Sequence, residues 1–109
     1  LALLEISQKN EIPIEVIVKK TSHAVADRYG IKDRGYIREG YWADLVLVDP
    51  NSKFKVTKDN IMYECGWSPF EEHSFNSSIE MTFVNGIKAY QKGKVLGEPK
   101  GKRLEFYSE

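Results

Sequence analysis

The sequence predicts an α+β fold in which helices are followed by a small β-rich unit. Apolar residues recur at helical spacing over about the first thirty residues, as far as Gly30. Apolar and β-branched runs separated by glycine-containing turns follow that residue. A length of 109 residues with 41% hydrophobic and 29% charged residues is typical of a single globular unit. We therefore expect two parts, residues 1–30 and residues 31–109.

The first part carries an amphipathic helical pattern. Its repeating positions fall at i, i+3, i+4, i+7 and i+11 and share one helix face: Ile14, Ile17, Val18, Thr21 and Val25. Pro13 suits the first helical turn, where its missing N–H costs no hydrogen bond. Ser22 is predicted to cap a second short helix through Tyr29, and Gly30 is predicted to end it in the left-handed conformation.

The second part is predicted to be mostly strand, at residues 36–38, 45–48, 54–56, 80–84 and 87–91. Asn85-Gly86 predicts a two-residue hairpin turn, because a type I′ turn needs positive φ at both central positions. Lys92-Gly93-Lys94 indicates a second tight turn. Residues 97–109 are expected to form an irregular arm, to which residues 104–107 could add an edge strand.

The run from Asp44 to Asp49, DLVLVD, predicts the best-defined strand. Four apolar residues in unbroken succession are typical of a strand that is buried on both faces. Pro50, Asn51 and Ser52 then end the run. We therefore expect residues 44–48 to lie at the centre of the sheet.

Charge and cysteine content exclude several classes of function. Sixteen basic residues balance sixteen acidic ones, which leaves no field to recruit nucleic acid or an anionic membrane. The longest apolar runs are far too short for a membrane span. Cys65 is the single cysteine and cannot form an internal disulfide, so we expect a reducing, cytoplasmic location.

Residues that carry catalytic or metal chemistry are sparse. The two histidines, His23 and His73, form neither an HxH nor an HExxH pair, so we predict structural or surface roles for both. Nothing local supports Cys65 and His73 as a nucleophile and base, because a free cysteine is more often a small apolar residue in the core. Trp42 and Trp67 are predicted to be core or interface anchors rather than ligand-stacking residues.

Several stretches resemble dihydroorotases of the amidohydrolase superfamily. Residues 20–31, KTSHAVADRYGI, are similar to the helix that ends the catalytic barrel, and residues 35–50 to the crossing into a small β domain. The run CGWSPFE at residues 65–71, placed after VTKDN at residues 56–60, favours dihydroorotase within the superfamily. Residues 81–93 resemble the closing hairpin. The chain departs from the family pattern at Glu72, usually Gly, and at Ala24-Val25, usually Pro-Ala.

The resemblance implies the C-terminal part of a zinc-dependent, often binuclear, (β/α)8-barrel hydrolase. Such an enzyme interconverts dihydroorotate and N-carbamoyl-L-aspartate in pyrimidine synthesis. Residues 1–30 would then be the terminal helices of the barrel, and residues 31–109 the small β-rich domain beside it. Barrel active sites lie at the C-terminal ends of the strands, so the family's metal and catalytic residues would precede Leu1. We therefore assign no catalytic, cofactor-binding or metal-binding residue here, and expect zinc and activity in the parent enzyme but not on this chain alone.

Two alternatives remain open at this stage. One is the same segment of another cyclic amidohydrolase, of the allantoinase or hydantoinase type. The other is an independent small β-rich interaction domain, but an apolar helical pattern already under way at Leu1 favours a segment of a larger enzyme. The expected partners are the barrel of the same protein and, for the chain alone, a second copy bound through the apolar face of residues 1–29.

Overall fold

A computed structural model describes residues 1–98 and 101–107, in which a helical part is followed by two small sheets. The helical elements are α1 (Ala2–Lys9), α2 (Ile14–Val18), a π-helical turn (Lys19–His23) and α3 (Ala24–Tyr29). The strands are β1 (Leu45–Asp49), β2 (Phe54–Lys55), β3 (Ser74–Phe75), β4 (Ser78–Val84), β5 (Ile87–Gln91) and β6 (Lys94–Val95), with a 3-10 turn at Lys58–Asn60. The predicted combination of helices and a small sheet is confirmed.

The helical segment from Ile14 to Tyr29 runs without a break through the π-helical turn. The Ala24 N–H bonds to the carbonyl of Lys19, five residues back, which inserts one residue into the turn. One extra residue corresponds to about 100° of helical rotation, so side chains of α3 do not keep the angular register of those on α2. The predicted N-cap at Ser22 is wrong, because this residue lies inside the continuous helical segment. Gly30 ends α3 with φ 61°, as predicted.

The larger sheet is antiparallel, with strand order β1-β4-β5-β6. Asn85 and Gly86, with φ of 52° and 81°, join β4 to β5 and confirm the predicted hairpin turn. Lys92 and Gly93, with φ of 44° and 86°, form the second turn before β6. The predicted strand at residues 54–56 is present as β2, but it pairs with β3 in a separate two-stranded sheet.

β1 forms as predicted but lies at an edge of the larger sheet instead of at its centre. Its middle residues, Val46 and Leu47, are 54% and 46% exposed. Successive strand residues point to opposite faces, so β1 is uncovered on both faces at its middle. The expectation of a central strand buried on both faces is therefore wrong for this chain.

Two further strand predictions fail. Residues 36–38 are irregular, because Gly35 and Gly40 at φ 82° and 83° turn the chain on either side, and the Tyr41 N–H bonds to the Arg38 carbonyl. Residues 104–107 form no strand, although Phe106 makes an isolated bridge to Ile31. The expected irregular arm is confirmed over its described part, while residues 99–100 and 108–109 of that prediction lie outside the described residues.

The hydrophobic core is small for a chain of this length. Within residues 1–98 and 101–107, the buried apolar side chains are those of Ala26, Val56 and Phe75. Ala26 lies on α3, and the other two lie at the smaller sheet. Many large apolar side chains are instead exposed, and their burial is what normally drives folding. None of the described helices is long and apolar enough to cross a membrane.

Candidate functional site

Both histidines hold structural contacts in the described residues. His23 Nδ1 lies 2.6 Å from the Gly35 carbonyl oxygen, and its ring stacks on Tyr36 with centroids 4.2 Å apart. This contact ties the π-helical turn to the segment that leaves α3. His73 Nε2 lies 2.8 Å from a carboxylate oxygen of Glu5, and so joins the smaller sheet to α1. Both histidines therefore make contacts that join separate elements, and the prediction that neither is a ligand or a catalytic base stays a prediction.

The Glu5–His73 contact belongs to a small polar cluster on α1. Lys9 Nζ lies 3.0 Å from the second carboxylate oxygen of Glu5, one helical turn away. The hydrogen bond from Lys9, followed by the one from His73, lowers the pKa of Glu5. His73 also packs edge-on against Phe75, with ring centroids 4.6 Å apart. The cluster therefore joins α1 to the smaller sheet.

Cys65 and His73 do not form a catalytic pair. The Cys65 side chain is exposed, and its Sγ contacts the Trp67 carbonyl oxygen at 3.6 Å. His73 is instead directed to Glu5. The expected burial of Cys65 is wrong, because the loop that carries it turns outward. The two tryptophans are also not core residues, because both are exposed. Lys102 Nζ lies 4.0 Å from the centroid of the Trp42 ring.

The described residues do not fit a zinc site. They contain no group of three or more His, Cys, Asp or Glu side chains that could hold a metal ion. A catalytic zinc needs three protein ligands and a structural zinc needs four. The contact between His73 and Glu5 supplies one acid and one histidine, fewer ligands than either kind of zinc site needs.

A largely buried arginine joins the helix exit to the larger sheet. The Arg34 side chain is 11% exposed, and its guanidinium forms an ion pair with Asp44, just before β1. Its other terminal nitrogen donates to Asn85 Oδ1 at 2.7 Å, in the β4–β5 turn. Asp44 Oδ1 in turn accepts the Asn85 backbone N–H at 2.8 Å. We call Arg34, Asp44 and Asn85 the junction triad. Sequence reasoning missed it, because its members are 10 and 51 positions from Arg34 and no local pattern links them.

A cleft of about 360 Å³ lies beside this triad. Its polar walls include Asp27, Tyr36, Arg38, Tyr41 and Tyr107. The Tyr36 hydroxyl donates to Asp27 at 2.7 Å, and this hydrogen bond is the main cause that raises the pKa of Tyr36. The Arg38 guanidinium lies over the Tyr36 ring, 4.2 Å from its centroid. These mutual contacts join the polar side chains of Asp27, Tyr36 and Arg38 to one another across the cleft.

The loop between β2 and β3 is closed by short-range hydrogen bonds. Thr57 and Asn60 form a reciprocal capping box around the 3-10 turn. Ser68 Oγ accepts the Phe70 N–H at 3.2 Å, which shapes the Ser-Pro-Phe turn. The Glu72 N–H then bonds to the Val56 carbonyl at 2.9 Å and closes the loop. Glu72 makes that bond with φ 66°, a left-handed conformation that favours glycine. The departure from the family's glycine at this position therefore carries local backbone strain.

Replacing Glu72 with Gly should stabilise the fold by about 1 kcal/mol, because glycine adopts positive φ without a Cβ clash. The exposed ion pair with Lys55, at 2.5 Å, would be lost at a smaller cost. Urea denaturation of the two proteins measures the difference. Glu72→Gln is the matched control, since it removes the charge and keeps the strain, and it should change stability by less than about 0.5 kcal/mol. A lower unfolding midpoint for the glycine variant would contradict this explanation.

Comparison with known proteins gives consistent relatives over nearly the whole chain. A dihydroorotase from Halobacterium salinarum is 37% identical over 88 residues, which cover 81% of this chain and 21% of that protein. An allantoinase from Desulfitobacterium hafniense is 33% identical over 94 residues, which cover 86% of this chain and 21% of that protein. The chain is a homologue of cyclic amidohydrolases. No protein-family model matches it.

A solved structure supports the same relationship for this amidohydrolase homologue. The L-hydantoinase from Arthrobacter aurescens superposes with a TM-score of 0.76 at 26% identity, over 84% of this chain and 20% of that one. The chain thus spans about one fifth of the length of the relatives it matches. Coverage of this size is consistent with the predicted C-terminal segment.

Proposed function

We propose that this chain is the C-terminal, non-catalytic part of a zinc-dependent dihydroorotase. The parent enzyme would hydrolyse dihydroorotate reversibly to N-carbamoyl-L-aspartate. The observation that carries the proposal is the similarity to dihydroorotases and allantoinases over most of this chain but only about one fifth of each relative. The pyrimidine pathway and a cytoplasmic location belong to the same proposal, and the latter rests on the unpaired Cys65.

The substrate choice within the proposal rests on the loop between β2 and β3. Its Thr57–Asn60 capping box and its Ser-Pro-Phe turn are the two features that resemble dihydroorotases. Both are well formed, with Thr57 and Asn60 bonded reciprocally and Ser68 Oγ capping Phe70. The loop is thus a defined structural element, and its resemblance to dihydroorotases supports this choice of substrate within the proposal.

In this proposal the chain has a structural role in the parent enzyme and no catalytic one. Residues 1–30 would close the catalytic barrel, and residues 31–109 would pack beside it. Exposed apolar side chains on the helical part support this role, among them Leu3, Ile6, Ile14, Val18 and Val25. Exposed apolar side chains in this number normally pack against a neighbouring element, because exposed apolar patches mark interfaces. The barrel of the same protein is the proposed partner.

Zinc enters the proposal only through the parent enzyme. The donor set of the described residues does not fit a metal site, as shown above. The proposed ligands therefore lie outside this chain, and no step of the reaction is assigned to its residues.

An allantoinase is the second candidate function. The observation in its favour is that allantoinases from several bacteria are 30–33% identical to this chain, within the range of the dihydroorotases. The same non-catalytic role for residues 1–109 applies to this candidate, and only the substrate differs.

The substrate is tested on the longer protein that contains this chain, purified with zinc. Values of kcat/KM are measured for dihydroorotate, allantoin and hydantoin under one set of conditions. We expect dihydroorotate to be preferred by at least about tenfold, which corresponds to about 1.4 kcal/mol in transition-state binding. Preference for allantoin would replace the first candidate by the second. No turnover of any of the three cyclic amides would overturn both.

A further inference from the structure

The backbone that ends α3 satisfies two of its N–H groups within the helix. The Gly30 N–H bonds to the Asp27 carbonyl at 3.3 Å. The Ile31 N–H bonds to the Ala26 carbonyl at 2.9 Å. These two bonds, with Gly30 in the left-handed conformation, form a Schellman motif. The Gly30 carbonyl and the Lys32 N–H take no part in that motif and need other partners.

The C-terminal arm supplies both of those partners. The Tyr107 N–H donates to the Gly30 carbonyl at 2.8 Å. The Lys32 N–H donates to the Glu105 carbonyl at 2.9 Å. The arm therefore completes the hydrogen bonding of the helix stop from a distant part of the chain.

These bonds pair two short antiparallel segments, residues 30–32 and 105–107, which we call the clasp. Its middle pair is Ile31 and Phe106, and one of the two bonds lies on each side of that pair. In an antiparallel ladder, residues placed in this way face each other with Cα atoms about 4.5 Å apart. The clasp is thus a single rung of sheet between the helix stop and the arm.

Side-chain contacts reinforce this pairing. Lys32 Nζ lies 5.5 Å from the centroid of the Tyr107 ring, within the clasp itself. Earlier in the arm, Lys102 Nζ lies 4.0 Å from the centroid of the Trp42 ring. A cation over an aromatic ring at these distances is attracted by the ring. The arm is therefore held at the helix stop and also at the segment that precedes β1.

The clasp is small compared with the larger sheet. Its pairing has two backbone hydrogen bonds, whereas β1 pairs with β4 over five residues. Regions with few hydrogen bonds open at a lower free energy than the sheet, and contiguous groups open together. Opening the clasp would leave the Gly30 carbonyl and the Lys32 N–H without their partners, directly beside the Schellman bonds.

We propose that the clasp is a conformational device through which the C-terminal arm and the stop of α3 open and close as one unit. The arm fixes the point at which the chain leaves α3, and loss of the arm's pairing loosens the helix stop as well. In the function proposed above, α3 is one of the helices that close the barrel. The clasp would then fasten that helix from the C-terminal side, a consequence that rests on the proposed function.

The first test uses the longer protein that contains this chain. Tyr107→Pro removes the N–H that bonds to the Gly30 carbonyl, because proline has no amide hydrogen. Amide hydrogen exchange over residues 29–33, measured by mass spectrometry, should become at least tenfold faster, the Lys32 amide included. Arg103→Pro is the matched control. It places proline in the same arm where no backbone bond from residue 103 joins the described residues, and it should leave this exchange unchanged.

A disulfide across the clasp should have the opposite effect. Ile31→Cys/Phe106→Cys places two thiols on the facing pair, at a Cα separation of about 4.5 Å that a disulfide can span. Cys65→Ser in the same protein removes the exposed thiol that would compete. With the disulfide formed, exchange over residues 29–33 should be at least tenfold slower, and reduction should reverse the change.

Several results would overturn the proposal. One is unchanged exchange over residues 29–33 in Tyr107→Pro, and another is an equal acceleration by Arg103→Pro. A disulfide that fails to form under oxidising conditions, or that forms and leaves the exchange of the helix stop unchanged, would do the same. If the Tyr107→Pro protein does not fold, the disulfide variant decides by itself. Because hydrogen exchange needs no substrate, failure of the clasp is distinguishable from failure of the proposed dihydroorotase function, which is measured as turnover.

Discussion

Replacing Gly35 with Ala is expected to destabilise the fold by about 3 kcal/mol or more, the largest effect of any single methyl addition at the chain's glycines. A Cβ at this position would lie 2.4 Å from the Ala26 Cβ and 3.1 Å from the Ser22 carbonyl oxygen. Ala26 is buried on α3 and the carbonyl belongs to the π-helical turn, so neither can move without shifting the helix. Gly35 also has φ 82°, which adds strain for any other residue.

Gly40→Ala separates the steric clash of the added Cβ from the strain of a positive φ. Gly40 has φ 83°, close to that of Gly35, but a Cβ there would meet no atom within 4 Å. The free energy of unfolding of this variant should therefore fall only by the cost of a positive φ for alanine, about 1 kcal/mol. Urea unfolding at one low protein concentration measures both, since self-association would add stability by mass action. Equal losses for the two variants would mean that the close approach of α3 to residue 35 is wrong.

Replacing Arg34 with Met is expected to cost about 2–3 kcal/mol, because it removes the central member of the junction triad. The guanidinium holds Asp44 and Asn85 from a position that is 11% exposed, where hydrogen bonds to charged groups are worth about 1.5–3 kcal/mol. Methionine keeps most of the aliphatic packing, so the loss reports mainly on the polar contacts. The unfolding midpoint in urea is again the measurement.

Arg38→Met provides the matched control for Arg34. Arg38 is exposed and lies over the Tyr36 ring, so its loss should cost less than about 1 kcal/mol. A double-mutant cycle with Asp44→Asn should give a coupling energy with Arg34→Met and none with Arg38→Met. If Arg34 and Arg38 prove equally dispensable, the junction triad does not hold the sheet to the helix exit.

The parts of the fold that depend on local backbone preference could be predicted from the sequence. Gly30 ends α3, and Asn85-Gly86 joins β4 to β5, because each position needs a positive φ that few residues tolerate. β1 was also located correctly, since four apolar β-forming residues in a row leave little choice. The position of β1 at an edge of the sheet could not be predicted. An apolar run indicates that a strand is normally buried, but it does not show which other residues bury it.

The parts that depend on long-range contacts could not be predicted. Residues 36–38 have a strand-like composition, but the glycines at 35 and 40 turn the chain there. The Glu5–His73 contact joins residues 68 positions apart, and no local motif marks it. The π-helical turn also has no sequence pattern that would distinguish it from the predicted N-cap at Ser22. The two separated histidines predict that metal chemistry lies elsewhere in the longer protein, and this stays a prediction.

The most direct test of the central claim is the hydrolysis of dihydroorotate by the 109-residue chain alone, with zinc supplied. The same assay on the longer protein that contains it is the positive control. The described residues contain no group of three or more His, Cys, Asp or Glu side chains that could hold a metal ion, so we predict no turnover above the uncatalysed rate and no stoichiometric zinc by elemental analysis. The longer protein should be active with zinc. Turnover by the isolated chain, or one tightly held zinc per chain, would contradict a non-catalytic role for these residues.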